Sequence, residues 1–223
     1  MELTKSIYPL QASQATYQQI MMSNITGESL PPPIFVTTPY EFAISSANNF
    51  SRNNGFGMNL DFKLKYSKEY KRLKRLMPPL RIVPNISKYR TNKANQNNLF
   101  FLNNEILQYG YIFEKNEVFF HGGNWPITNL NNIIGTSFNT NIVLSTTLCA
   151  NVASVHASYH PKPWQIWVIT IGNNFTKKAF VYNNHPRQFL YQEKEIIFEI
   201  GVKLTCKSQH VYGNFQILEV LMT

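Results

Sequence analysis

The chain has 223 residues and is 43% hydrophobic, with sixteen Phe and twelve Tyr, enough apolar material for one large domain or a domain with an extension, and too much for wholesale disorder. Two cysteines, Cys149 and Cys206, form neither a disulfide framework nor a metal-ligand spacing, which favours a reducing compartment. The net charge of +9 points to anionic partners; the N-terminus shows no secretory pattern, and no apolar run reaches the ~18 residues a membrane-spanning helix needs.

Residues 1–60 read as irregular, with a short helix around Gln14–Met22, three prolines at 31–33 and the turn-rich NNFSRNNGFG at 48–57. Lys63–Met77 reads as one helix, stopped by Pro78-Pro79. Its stripe of Tyr66, Tyr70, Leu73 and Met77 would face inward. Eleven of the 21 Lys and Arg lie between Lys63 and Lys93, against Glu69 alone. Lys68, Lys71, Arg72, Lys74 and Arg75, interleaved with tyrosines, suit a phosphate backbone with rings for base stacking. They suit a solvated helix face slightly better, and an anionic membrane less well. The Asn-rich TNKANQNN at 91–98 reads as a loop, and LFFLNNEILQYGY after it as a helix.

From Glu117 the pattern changes to short strands. EVFFH (117–121) ends in Gly122-Gly123, and NIVLSTT (141–147) runs into a helix in which Leu148, Val152, Val155 and Tyr159 keep helical spacing behind a Ser or Thr cap. WQIWVITI (164–171) is apolar on both faces and reads as a central strand. EIIFEI follows at 195–200; GVKLTCK alternates Val202, Leu204 and Cys206 against polar residues, and NFQILEVLM closes the chain. The expected fold class is α+β: a helical and irregular basic extension over 1–95, then a β-dominated domain over 96–223.

Three short motifs stand at strand ends: FHGG at 120–123, LSTT at 144–147 and EKEII at 193–197. Alone, the glycines are a turn, His121 a histidine beside it, Ser145–Thr147 a helix cap, and Glu193 and Glu195 an exposed strand start. In this order, followed by two closing strands, they resemble the mono-ADP-ribosyltransferase superfamily over roughly residues 100–223. That family has an Arg-Gly or His-Gly at a strand end, a Ser-Thr-Ser-like strand leading into a helix, and an acid-x-Glu opening a strand. The resemblance implies a split β-sheet core with NAD as substrate and no metal. His121 would meet a ribose hydroxyl and the Gly122 backbone the nicotinamide amide, with Gly123 beside them. Ser145 would hold the catalytic acid, and Thr146 and Thr147 would complete that strand end. Glu195 would be the catalytic glutamate, and Glu193 would address the acceptor. Histidine in the first motif combined with Ser-Thr-Thr and a paired acid makes the chain a hybrid of two branches, so an arginine acceptor is not implied.

The chemistry fits the residue types. Breaking the nicotinamide–ribose bond leaves positive charge on the ribose, which a fixed carboxylate stabilises. A second acid two residues away on a strand points to the same face, with Lys194 pointing away. The expected activity is transfer of ADP-ribose from NAD to a protein or nucleic acid, in a toxin or effector setting, in the cytoplasm of the producing or a target cell. The rival reading is a non-catalytic nucleic-acid-binding module built on residues 63–93. Cys149 with His156 or His160 recommends a thiol hydrolase less, because Cys149 falls on the buried side of its helix. His156 and His160 make half a zinc site without the following Glu, and Pro161 ends that helix. Trp125 suits core filling better than stacking on NAD. No phosphate-cradling GxxxxGK[ST] or GxGxxG occurs.

Overall fold

The computed structural model describes residues 3–13, 15, 17–50, 55–90, 99–127, 132–182 and 194–223. Glu193, the Asn-rich stretch 91–98 and the boundary placed near 95 lie outside the described residues.

Residues 1–60, read as irregular, contain more order than their composition suggests. Helix α1 (Leu3–Ile7), strand β1 (Leu10–Ala12), helix α2 (Tyr17–Thr26), strand β2 (Ile34–Val36) and helix α3 (Pro39–Asn48) succeed one another. Helix α3 starts at a complete capping box, Thr38-Pro-Tyr-Glu41, with Thr38 Oγ1 accepting from Glu41 N at 3.1 Å and proline in the first turn. That signal stands in the sequence, but no strong apolar period follows it. Helix α1 is sewn to the second half, its Leu3 and Thr4 amides donating to the buried Glu117 carboxylate at 2.7 and 2.8 Å.

The single helix expected over Lys63–Met77 is two: α4 (Phe56–Tyr66) and α5 (Lys68–Leu76). Ser67 leaves helical geometry (φ −61, ψ 125) and its hydroxyl accepts from Tyr70 N at 3.1 Å, so it caps a new helix instead of extending the old one. The break rotates the two helices out of a common stripe. Tyr70, Leu73 and Met77 are buried, while Tyr66 is 57% exposed. Helices α6 (Pro84–Arg90) and α7 (Leu99–Tyr109) follow.

The second half supplies β3 (Tyr111–Ile112), β4 (Val118–Gly122), β5 (Ser137–Asn139), β6 (Leu144–Thr147), helix α8 (Ala150–Ala157), β7 (Trp164–Ile171), β8 (Lys178–Val181), β9 (Glu195–Phe198), β10 (Lys203–Tyr212) and β11 (Phe215–Met222). These nine strands form one sheet in the order β3-β8-β9-β6-β4-β7-β11-β10-β5, antiparallel except where β7 and β11 run together. The architecture is α+β. The sheet is split: β4 and β6 share the single residue pair Phe120–Thr147, whereas β4 pairs with β7 from Val118 to Gly122 and β6 with β9 from Leu144 to Thr147.

Helix α8 departs from the expected stripe. Its buried face is Ala150, Ala153, Ser154 and Ala157, while Val155 and Tyr159 are exposed. Small residues are needed because α8 lies directly on β4: a Cβ on Gly122 would meet the Ala153 carbonyl oxygen at 2.0 Å. The cap expected from a Ser or Thr falls to Cys149, which makes no side-chain cap bond. Helix α3 packs on α8 through Ser46 Oγ donating to Asn151 Oδ1 at 2.7 Å, and on β4 through Phe42, edge-on against Phe120. Among the described residues no helix is long and apolar enough to cross a membrane.

Candidate active site

Backbone pairing between β4 and β6 stops after Phe120, and the next side chain bridges the gap. His121 Nδ1 lies 2.7 Å from the Ser145 carbonyl oxygen. A carbonyl only accepts, so Nδ1 carries the proton and donates, leaving Nε2 as an acceptor. Ser145 is held from the other side as well: its hydroxyl donates to Glu195 Oε1 at 2.6 Å. One serine thus joins the imidazole of the first motif to the carboxylate of the third, through its carbonyl and its hydroxyl. Phe120, His121, Gly122, Ser145, His156 and Glu195 line a cleft open to solvent.

Thr146 and Thr147 line the same cleft with their hydroxyls turned to the backbone. Thr146 Oγ1 donates to the Ile196 carbonyl at 2.8 Å, and Thr147 Oγ1 accepts from Cys149 N at 3.0 Å. Gly123 has a different task from Gly122. A Cβ on it would stand 2.7 Å from His121 Nε2, so glycine there keeps the accepting nitrogen uncovered.

Burial pushes the His121 imidazole down to about 4; the Ser145 carbonyl opposes the shift, and His156 and His160 add to it. The ring is neutral at physiological pH and packs 4.5 Å from the Trp167 ring. An unfolded chain takes up this proton near pH ~6.5. Between that value and about 4 the unfolded state binds a proton that the folded state does not, so stability present above pH ~6.5 is lost as pH falls. The melting temperature is expected to drop across this window, and less steeply in His121→Gln, which cannot take up the proton. Equal slopes in the two proteins would overturn the assignment of a buried neutral imidazole.

The third motif is held from the N-terminal half. Lys194 is buried with φ +47, and its ammonium lies 2.8 Å from Asp61 Oδ1 on α4. It is not among the residues that line the cleft. Strand β9 begins at Glu195 and Lys194 is in left-handed geometry, so strand alternation does not run back through it to Glu193. Sequence reasoning missed two tyrosines that feel the charge of Glu195. Burial, followed by the charge of Glu195, pushes the Tyr89 hydroxyl of α6 up to about 12, and the same causes raise Tyr182 at the end of β8. No local signal in α6 marks its closeness to Glu195.

The residues set aside also find places. Trp125 is buried against Phe138 and Trp167 and donates from Nε1 to Thr136 Oγ1 at 2.9 Å. The Cys149 thiol is buried, which raises it away from the reactive thiolate. His156, weighed in the sequence as half a zinc site, lines the cleft instead. The five basic residues Lys68, Lys71, Arg72, Lys74 and Arg75 all lie on α5, outside the cleft lining.

No protein-family model matches the chain, and no curated protein matches it. Among solved structures it is similar to Vis toxin, an ADP-ribosyltransferase from Vibrio splendidus, at 12% identity over 82% of this chain and 84% of that one, with a TM-score of 0.43. It is similar to the C3 exoenzyme of Clostridium limosum at 14% identity over 74% and 94% of the two chains, with a TM-score of 0.45. C3stau2 from S. aureus, solved with NAD, shows 13% identity over 75% and 92%, with a TM-score of 0.42.

Proposed function

We propose that the protein is an NAD-dependent mono-ADP-ribosyltransferase. The observation that carries this reading is the Ser145–Glu195 hydrogen bond of 2.6 Å beside an imidazole anchored on the same serine, at the break in the sheet. A carboxylate fixed by a hydroxyl, facing an open cleft, is suited to opposing positive charge on a ribose. In the reaction the bond from ribose C1′ to the nicotinamide nitrogen breaks, and its electron pair leaves with nicotinamide. Glu195 stabilises the oxocarbenium-like ribose that remains. An acceptor nucleophile then bonds to C1′ and gives up its proton.

The other residues divide the remaining work. His121 offers Nε2 as an acceptor to a ribose hydroxyl, with Gly123 leaving the approach clear. The Gly122 backbone faces the nicotinamide amide, and Ser145 fixes the carboxylate. Glu193 takes the acceptor's proton or sets its direction, a contribution on the order of 10²–10⁴. We place this activity in residues 96–223 and in a toxin or effector setting, acting on a macromolecule in the cytoplasm.

The test is to incubate the purified chain with NAD labelled on its adenine part, with and without cell lysate. Release of free nicotinamide and transfer of label to macromolecules are expected. Glu193→Gln should lose transfer and retain slow NAD hydrolysis, since water needs less orientation than a macromolecular acceptor. No nicotinamide release under either condition would overturn the reading. Equal loss of hydrolysis and transfer in Glu193→Gln would overturn the separate role of Glu193.

A further inference from the structure

The break at Ser67 that separates α4 from α5 also builds a surface. It leaves Tyr66 exposed one helical turn beyond Phe62, itself 60% exposed, and the two rings pair at 4.7 Å between centroids. Met58, one turn further back on the same stripe, is exposed too. Cations surround the pair: the ammonium groups of Lys65 and Lys71 lie 5.5 and 5.7 Å from the centre of the Tyr66 ring. Lys68, Arg72 and Arg75 are exposed on α5. The two acids of this region are already engaged, Asp61 with Lys194 and Glu69 with the Ser67 hydroxyl at 3.1 Å. Cations crowd one another here, since Lys74 is pushed down first by burial and then by Lys194 and Lys71.

This surface is tied to the reacting end of the cleft. Asp61, which holds Lys194, directly precedes Phe62, and Lys194 directly precedes Glu195. A ligand lying along α4 and α5 would therefore run past the mouth of the catalytic strand. Exposed rings set among cations match a ligand of flat rings on a polyanionic backbone. A solvated helix face requires the charge but gives no reason for two exposed, mutually packed rings.

We propose that the α4–α5 face docks single-stranded nucleic acid and presents it to the cleft as the acceptor of ADP-ribose, an inference that rests on the transferase reading above. The transfer is the reaction already written, with a nucleophilic atom of the nucleic acid bonding to ribose C1′, nicotinamide leaving and one proton released.

The experiment uses the full chain. Binding of a labelled single-stranded oligothymidine and of the matching duplex is followed by fluorescence anisotropy over a salt series. Binding of phosphatidylserine vesicles is measured in parallel. The single strand should bind more tightly than the duplex, with log affinity falling linearly in log salt. Phe62→Ala should weaken the single strand about tenfold, the loss of one stacked base. Joint replacement of Lys71 and Arg72 by Ala should flatten the salt slope by about 0.7 per phosphate contact removed. Both variants should keep the NAD hydrolysis of the parent while losing transfer to the oligonucleotide. Absence of salt-dependent binding, indifference to Phe62→Ala, preference for duplex, or vesicle binding that exceeds oligonucleotide binding would each overturn the proposal. Failure of the transferase reading is separately visible, as loss of NAD hydrolysis with oligonucleotide binding intact.

Discussion

Glu195→Gln is expected to lower both NAD hydrolysis and ADP-ribose transfer by about 10²–10³, equivalent to roughly 3–4 kcal/mol of lost transition-state stabilisation. The amide keeps the shape of the side chain and still accepts the Ser145 hydrogen bond through its oxygen, so the 2.6 Å link and the fold should survive. What it removes is the negative charge opposite the ribose. The discriminating measurement is turnover at saturating NAD beside NAD affinity by calorimetry. The loss should fall on turnover, because the charge matters most when the ribose is positive. A variant with near-parental turnover would remove Glu195 from the chemistry. A variant that loses affinity but keeps its turnover would make it a binding group.

The two adjacent glycines should fail in different ways when replaced. At Gly122 a Cβ would stand 2.0 Å from the Ala153 carbonyl oxygen and 2.5 Å from the Ala157 nitrogen, both backbone atoms of α8. Neither can move without lifting the helix off β4. Gly122→Ala is therefore expected to destabilise the fold by about 3 kcal/mol, the upper end for overpacking. For a chain of this size that is a fall of about 6–12 °C in melting temperature. At Gly123 the new atom would meet the far end of the His121 side chain at 2.7 Å, and a side chain can swing. Swinging it breaks the hydrogen bond to Ser145, so Gly123→Ala should melt within about 1 kcal/mol of the parent and bind NAD about tenfold more weakly. Thermal melting and calorimetry on the pair decide the matter. A Gly122→Ala protein as stable as the parent would contradict the seating of α8. A Gly123→Ala protein with unchanged NAD affinity would remove His121 Nε2 from the ligand.

The glycines also have packing reasons that the sequence does not display. Gly122 stands out in the sequence as a place where backbone could approach a ligand. In the fold the space over its α-carbon is filled by α8, and it is Gly123 that keeps the imidazole open. Helix α8 is a parallel case. Its larger apolar residues hold helical spacing, yet its inner face is alanine and serine, because a helix laid on a glycine of the sheet has no room for more. The α4–α5 break was readable in principle, since Ser67 carries Glu69 and Tyr70 behind it as an N-terminal turn, but the apolar period running through it argues for continuity.

Period and punctuation in the chain are sufficient for β7, β11 and the first half of β10, because alternation and apolar runs report which face of a strand is buried without reference to a partner. They suffice equally for the α+β class and for the order of the three motifs. The meeting of those motifs is another matter. His121 reaches Ser145 across 24 residues and Ser145 reaches Glu195 across 50, and no local period encodes such distances. They meet because β9, β6 and β4 become neighbours in a sheet whose order departs from chain order, and because β4 and β6 part after one residue pair. The same holds for Asp61 against Lys194 and for Tyr89 near Glu195. Local sequence sets the shape and burial of each segment, whereas proximity between distant side chains follows from how whole elements pack, and the cleft is made entirely of such proximities.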